Sequence, residues 1–148
     1  MTCLSWCLTK EKEHIELLAK MMTDKAIKAV EMHGSISKKQ RQERKTLLSN
    51  KPSNDEPVVI LATGKYVGEG FDLPHLDTLY ITLPIAWKGI LAQYAGRIQR
   101  EWSNKTVIQV YDFIDDFPTL QRMWKKREKG YKALGYKFNT QQSLHFIK

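Results

Sequence analysis

The stretch PVVILATGKYVGEGFDLP, residues 57–74, decides the fold of this chain. Its first part, Pro57 to Ala62, is an uninterrupted apolar run of strand length. Runs of this kind are typical of strands that are covered on both faces, as in a parallel sheet. Thr63 and a loop with three glycines follow the run directly, at the carboxyl end of the predicted strand. That end is where ligands bind in open parallel sheets, so we expect chemistry there.

Strand-like and helix-like patterns alternate on both sides of this stretch. The predicted strands are 2–8, 26–32, 57–62, 77–83 and 106–113, and the predicted helices are 10–22, 38–48, 87–100 and 117–134. Thr9 and Ser37 stand where helix N-caps belong. Strands that alternate with helices of this length, joined by short connections, predict an α/β fold with a mostly parallel sheet and helices on both faces.

Length and composition limit the class of protein. The 148 residues suffice for one domain, and 42% hydrophobic with 27% charged residues is the balance of an ordinary globular domain. The net charge of +8 favours polyanionic partners. Two segments concentrate this charge, KKQRQERK at 38–45 and KKREKGYK at 125–132, although either could equally be the solvated face of a helix.

The chain offers few signs of a metal site or of a membrane segment. Cys3 and Cys7 are the only cysteines, and no second ligand pair accompanies them, so buried free thiols are expected instead of a metal site. No apolar stretch approaches the roughly 20 residues that cross a bilayer. The start of the chain lacks the features of a secretion signal. These observations predict a cytoplasmic protein without a membrane partner.

The loop at 62–74, ATGKYVGEGFDLP, is the first candidate for chemistry. Gly64, Gly68 and Gly70 permit positive φ angles and close approach of the backbone to a ligand, as loops that contact phosphate require. The loop is not a Walker A motif, because Val59 occupies the position of the first required glycine and Tyr66 follows Lys65. On composition alone it could also be an ordinary turn.

The second candidate is QYAGRIQR at 93–100, inside a predicted helix. Arg97 and Arg100 are three residues apart and are expected to share a helix face, with Gln93 one turn earlier. Gly96 lowers the helix propensity, so it needs a reason, such as the close approach of a neighbour. Two guanidinium groups and an amide on one face can bind a phosphoryl group during its transfer. A surface helix with salt bridges is the alternative.

Together these segments resemble a known family. ATGKYVGEGFDLP resembles motif V of superfamily 2 helicases, and QYAGRIQR is similar to their motif VI. CLSWCLTKEKEHIELLAKMM looks like the motif IV strand and helix, and Met32-His33-Gly34 before a basic helix looks like the family's His-Gly turn. The end of the chain, from VYDFIDD onward, is similar to a phage-type and restriction-associated branch. The resemblance implies a RecA-like, three-layer domain of the P-loop NTPase type over residues 1–148, the second of two motor lobes.

The resemblance also implies which residues act on the nucleotide. ATP with Mg²⁺ would be bound mainly by a first lobe, while Arg97 and Arg100 would be arginine fingers at the γ-phosphate. Gln93 would orient that arrangement or the attacking water. Gly70 and Asp72 would approach the ribose or couple the nucleotide to the interface between the lobes, although Asp72 could also be an ordinary turn carboxylate.

The same resemblance places nucleic acid along the strand ends. Thr63, Gly64 and Lys65 would contact backbone phosphates, and Thr9 and Lys10 are weaker matches to such positions. Contacts to phosphate bind the strand without recognising its sequence, as a motor that moves along the strand requires. DNA is favoured over RNA through the phage and restriction branch.

One part of the motor has no counterpart in the sequence. Nothing here matches Walker A or an Asp-Glu box, so we expect a lobe that works with a separate first lobe and hydrolyses no ATP alone. A stand-alone nucleic-acid-binding module, with Trp87, Tyr94 and Trp102 as stacking rings, is the alternative. A methyltransferase on a similar sheet is disfavoured, since CLTKEK stands where its glycine fingerprint would be.

Overall fold

The computed structural model describes residues 4–50, 56–67, 73–86, 89–102 and 105–139. Five strands alternate with four α-helices, and a short 3-10 turn, Gly64–Val67, follows the third strand. In chain order the elements are β1 Leu4–Thr9, α1 Lys12–Asp24, β2 Lys28–Met32, α2 Lys38–Ser49, β3 Val58–Thr63, β4 Thr78–Ile81, α3 Ile90–Ile98, β5 Gln109–Asp112 and α4 Pro118–Ala133. The predicted alternation of strands and helices is confirmed.

The five strands form one sheet in the order β2-β3-β1-β4-β5, and every pairing is parallel. β1 lies in the middle, between β3 and β4, although it precedes the other four in the chain. Its register places Leu4 beside Val58 and Thr9 beside Thr63. The carboxyl ends of β1 and β3 are therefore level, and they form one edge of the sheet.

Both faces of the sheet are covered, and this explains the apolar strands. Trp6, Leu8 and Ile60 belong to the larger core, which also contains buried side chains of α2, α3 and α4. Cys7 and Leu61 point to the other face, where they pack with Ile15 of α1. All six residues of β1 are buried, as expected for a central strand between two layers. The predicted three-layer architecture is confirmed.

Several predicted boundaries differ from the structure. Ser37 caps α2 as predicted, in a capping box with Gln40. Thr9 is not a helix cap: it is the last residue of β1, and α1 begins three residues later after Glu11. The Thr9 hydroxyl is hydrogen-bonded to His14 Nδ1 at 2.5 Å instead. Among the described residues, no helix is both long and apolar enough to cross a membrane.

Candidate functional site

Three threonines line the carboxyl edge of the central strands. Thr9 and Thr63 are neighbours in register, and the Thr82 hydroxyl donates to the Leu8 carbonyl oxygen at 2.8 Å. Thr63 is half-buried, whereas Thr9 is only 1% exposed. Direct contact of the Thr9 side chain with a ligand would therefore require movement, because its hydroxyl is already bonded to His14. Thr63 is the accessible hydroxyl of the predicted pair.

Gly64 follows Thr63 and is in contact with α3. The Tyr94 hydroxyl donates to the Gly64 carbonyl oxygen at 2.9 Å, and a Cβ atom on Gly64 would lie 2.9 Å from the same hydroxyl oxygen. Such a contact is too close for a real side chain, so the packing of Tyr94 requires glycine here. The motif V-like segment (residues 62–74) is thus bonded directly to the motif VI-like segment (residues 93–100).

Tyr94 is a core residue. It is 4% exposed, and its ring meets Trp6 edge-on with 5.9 Å between centroids. Burial raises the pKa of Tyr94, while the charge of Arg97 acts in the opposite direction. The interpretation of Tyr94 as a ring that stacks on bases is wrong, because its ring faces the core. Trp102 is 43% exposed and lies beside His75, and Trp87 is outside the described residues.

The 3-10 turn after β3 contacts the basic helix and the His-Gly turn. Arg41 of α2 donates to the Tyr66 hydroxyl, and its guanidinium carbon lies 4.5 Å from the Tyr66 ring centroid. The ring is also 3.5 Å from the position of a Cβ atom on Gly34. Three segments that the resemblance assigns to one lobe surface therefore pack together. Neither Arg41 nor Tyr66 is a candidate by local pattern, because their contact joins residues 25 positions apart.

The basic helix α2 is only partly a solvated face. Arg41 binds Tyr66, and Arg44 donates to the Glu31 carbonyl oxygen of β2. Next to β2, His33 is buried, its Nδ1 accepts the Ser35 N–H at 3.3 Å, and its Nε2 lies 3.6 Å from a Glu31 carboxylate oxygen. These contacts fix α2 to the end of β2, and His33 is held by residues on both sides of it in the chain.

Gln93 and Arg97 lie one turn apart on α3, and Arg100 lies beyond the end of the helix. Gln93 is exposed and Arg97 is half-buried. The helix ends at Ile98, and the Gln99 N–H closes its last turn on the Ala95 carbonyl oxygen. The predicted helix was therefore two residues too long, and Arg100 is exposed in the segment that follows it.

Lys105 fixes the backbone of Arg100. Its ammonium group donates to the Arg100 carbonyl oxygen at 2.7 Å and to the Pro74 carbonyl oxygen at 3.0 Å. Burial lowers the pKa of Lys105, and the negative charge of Asp77 opposes this effect. Since Pro74 precedes β4, the Arg100 backbone lies near the amino end of that strand. We expected the candidate residues at the carboxyl edge of the sheet, but the Arg100 backbone does not lie there.

Packing against the described residues does not explain why position 96 is glycine. It is exposed, and a Cβ atom on it would meet nothing within 4 Å. The expectation of a close neighbour inside the lobe is therefore wrong for the part of the chain that the structure describes.

A buried ion pair joins β5 to α4. Arg127 donates from Nε and Nη2 to the two carboxylate oxygens of Asp112, at 2.8 and 2.9 Å, and from Nη1 to the Ile85 carbonyl oxygen at 2.7 Å. The Tyr131 hydroxyl also donates to Asp112, at 3.1 Å. Burial and the Asp112 charge raise the pKa of Tyr131. Arg127 and Tyr131 are four residues apart in the sequence, so a helix places them on one face. This spacing was the sequence signal that could have indicated the cluster.

The remaining candidates are less fully described. Gly70 and Asp72 are outside the described residues, and Lys65 is described only by its backbone in the 3-10 turn. Lys10 is exposed and lies 3.6 Å from Glu11 in an ion pair. Cys7 is a buried free thiol, as predicted, and Cys3 is outside the described residues. In those parts of the chain that the structure describes, no group of three or more His, Cys, Asp or Glu side chains could hold a metal ion.

Comparison with known proteins places this chain in a family. Uncharacterized protein 108L of Invertebrate iridescent virus 3 is 33% identical over 105 residues, which span 68% of this chain and 97% of that protein. Putative helicase 161L of Invertebrate iridescent virus 6 is 33% identical over 87 residues, 59% of this chain but 19% of the helicase. The chain thus corresponds to about a fifth of that longer relative.

A solved structure shows the same fold. The C-terminal domain of the DEAD-box protein Dbp5 superimposes with a TM-score of 0.63 at 14% identity, over 91% of this chain and 72% of that domain. At this identity the likeness concerns the fold alone, which is RecA-like. Residues 2–102 match the family described as the helicase conserved C-terminal domain, from β1 through the end of the motif VI-like segment. The chain therefore belongs to the helicase conserved C-terminal domain family, whose members are parts of helicase-type, generally ATP-hydrolysing proteins.

Proposed function

We propose that residues 1–148 form the second motor lobe of an ATP-dependent nucleic-acid helicase or translocase. The bond from Tyr94 to Gly64 is the observation that supports this most, because it joins the two segments that such a lobe must couple. The motif VI-like segment would face the nucleotide, and the start of the motif V-like segment would face the nucleic acid. A displacement of α3 on one side would therefore act directly on the turn after β3 on the other.

On the nucleotide side, Arg97 and Arg100 act as arginine fingers. Forked guanidinium groups suit a phosphate chain, and they stabilise the charge that develops during phosphoryl transfer. Gln93 lies one turn before Arg97 and orients the same arrangement. Lys105 acts through Arg100, since it binds the Arg100 carbonyl oxygen. ATP and Mg²⁺ supply the reactive phosphate and its charge neutralisation, and the first lobe binds most of both.

On the nucleic-acid side, Thr63, Gly64 and Lys65 contact the phosphate backbone at the carboxyl edge of the sheet. Thr63 is half-buried there, and Lys10 is exposed at the neighbouring strand end. Thr9 contributes by fixing His14, because its own hydroxyl is buried. Gly70 and Asp72 would approach the ribose of the nucleotide. DNA is the proposed strand, and the cytoplasm the proposed location.

The first lobe would come from another chain or from another part of a longer protein. Two relatives support such an arrangement in different ways: the aligned stretch spans 97% of protein 108L but 19% of putative helicase 161L. The same lobe thus makes up nearly all of one viral protein and a minor part of another.

Turnover in the reassembled motor tests this proposal. The chain is mixed with, or fused to, a first lobe that contains Walker A and Walker B, and nucleic-acid-stimulated ATPase activity is measured. Arg97→Lys and Arg100→Lys keep the charge but lose the fork, so kcat should fall about 10³-fold or more while ATP affinity is retained. Lys20→Gln on α1 is the control and should leave turnover unchanged. Appreciable ATPase activity of the isolated chain would contradict the assignment.

A stand-alone nucleic-acid-binding module is the second candidate, supported by the net charge of +8. The same variants separate the two functions. In a module, Arg97→Lys and Arg100→Lys would change only the affinity for nucleic acid, and no first lobe would restore ATP hydrolysis.

A further inference from the structure

Helix α4 has one face that is firmly bound to the core. Trp124 and Tyr131 pack there, and Arg127 is 3% exposed in its ion pair with Asp112. The bond from Arg127 to the Ile85 carbonyl oxygen adds a second anchor in the segment after β4. The orientation of the helix about its axis is therefore fixed.

The opposite face of α4 is basic. Arg122, Lys125, Lys129 and Lys132 follow one another at spacings of three, four and three residues, and all four are exposed. At 100° per residue they lie within one quarter of the helix circumference, directly opposite Arg127. Lys126 flanks them, and Glu128 is the only acidic residue of α4. We call these four residues the α4 basic stripe.

Few of the charges in the α4 basic stripe are neutralised by neighbours that the structure describes. Lys132 is paired with Glu128 at 2.7 Å, and Arg122 donates to the neutral Thr119 hydroxyl at 3.0 Å. From Arg122 to Lys132 the stripe is roughly 15 Å long at 1.5 Å per residue. That length matches about four phosphates of one strand at 3.4 Å per nucleotide.

We propose that the α4 basic stripe binds the phosphate backbone of a nucleic acid, at a site separate from the residue 63–65 turn. The stripe lies outside residues 2–102, the part that matches the helicase family, so the family assignment does not account for it. The proposal shares with the proposed function only the class of partner. It requires neither ATP nor a first lobe, because positively charged side chains on a fixed helix suffice for phosphate contacts that are independent of sequence.

A membrane surface suits this helix less well than nucleic acid. Helices that bind the surface of a bilayer insert an apolar face between the lipids. The apolar face of α4 is occupied, since Trp124 and Tyr131 pack against the core. Only the charged face is available, and it would meet a polyanion without insertion.

Fluorescence anisotropy with the full chain and a labelled 20-nucleotide DNA strand tests the proposal. Lys125→Gln/Lys129→Gln should weaken binding about tenfold at 0.15 M salt and reduce the slope of log K against log salt by about 2. Lys20→Gln/Lys25→Gln removes the same charge from exposed positions on or beside α1 and is the matched control. Circular dichroism of each variant checks that the fold persists.

The outcomes distinguish this site from the proposed function. Equal losses in the stripe variant and the α1 control would overturn the proposal, because they would indicate bulk charge. A loss in Lys65→Gln without one in the stripe variant would overturn it and leave the proposed track intact, whereas the reverse result would support the stripe and count against the track. Absence of DNA binding by the unmodified chain, with or without binding to vesicles containing anionic lipid, would also overturn it.

Discussion

Gly64 and Gly96 show how one residue type serves two purposes in neighbouring segments. At Gly64 a side chain would collide with the Tyr94 hydroxyl, whereas at Gly96 a Cβ atom would meet nothing within 4 Å. The first glycine is required by packing inside the lobe. The second lowers helix propensity, and nothing in the described structure requires it.

Alanine at these two positions should have opposite effects on stability. Gly64→Ala should reduce the free energy of unfolding by about 1–3 kcal/mol, because Tyr94 must move. Gly96→Ala, the matched control, should increase it by up to about 1 kcal/mol, because alanine favours the helix. Urea denaturation measures both.

Tyr94→Phe identifies the cause of the Gly64→Ala effect. Without the hydroxyl oxygen the collision disappears, so Gly64→Ala should cost less in the Tyr94→Phe variant than in the natural chain. Equal costs in the two backgrounds would show that Tyr94 is not the neighbour that requires glycine at this position.

Local patterns predicted some residues of the site and missed others for a physical reason. The Ser37 cap depends on residues within a few positions of it, and this prediction is confirmed. The buried free thiol of Cys7 followed from the cysteine content of the whole sequence, and it is also confirmed. Lys105 binds a carbonyl group 31 residues earlier, and Tyr94 binds one 30 residues earlier. No periodicity encodes such pairs, because the fold alone brings them together.

Among the elements, α4 depends most on a single side chain. The Asp112 side chain is only 6% exposed. Arg127→Met would therefore leave a buried carboxylate without its guanidinium partner. Breaking a buried pair in this way costs about 3–5 kcal/mol, so the midpoint of urea denaturation should fall sharply.

Lys126→Met is the matched control, because it removes the same charge from an exposed position on the same helix. It should change the free energy of unfolding by less than about 0.5 kcal/mol. If the two variants were equally stable, the ion pair would not be what fastens α4 to the sheet.

The elements themselves were more predictable than their ends or their order. The uninterrupted apolar run predicted β3, because a strand buried on both faces must be apolar throughout. The alternation of Leu79 and Ile81 with polar neighbours predicted β4. The end of α3 at Ile98 was missed, since neither Gln99 nor Arg100 is a strong helix breaker. Strand order was also beyond local pattern, because it depends on which distant segments pair.

For the whole molecule, alkaline pH should lower stability. Burial raises the pKa of Cys7 to about 11 from an ordinary 9.0, and the pKa of Tyr131 is also raised. The unfolded chain loses these protons first, so it binds fewer protons than the folded chain as pH rises above about 9. The free energy of unfolding should therefore fall by about 1 kcal/mol between pH 8 and pH 10 from Cys7 alone.

Urea denaturation at a series of pH values measures this slope. Cys7→Ala should flatten it between pH 8 and pH 10, whatever the variant does to stability at neutral pH. An unchanged slope would mean that the Cys7 thiol ionises equally well in the folded protein.

The central position of β1 has a consequence for how the chain is made. Ser5 pairs with Val59 on one side and with Thr78 on the other, so β1 leaves the ribosome before the other strands and finds its last partner 73 residues later. At elongation rates of 5–20 residues per second, that delay is roughly 4–15 s. During it, the apolar β1 lacks at least one of its two neighbouring strands, and refolding of such a non-local topology is slow for the same reason. We therefore expect newly made chains to expose the apolar side chains of β1 until its partner strands have been synthesised.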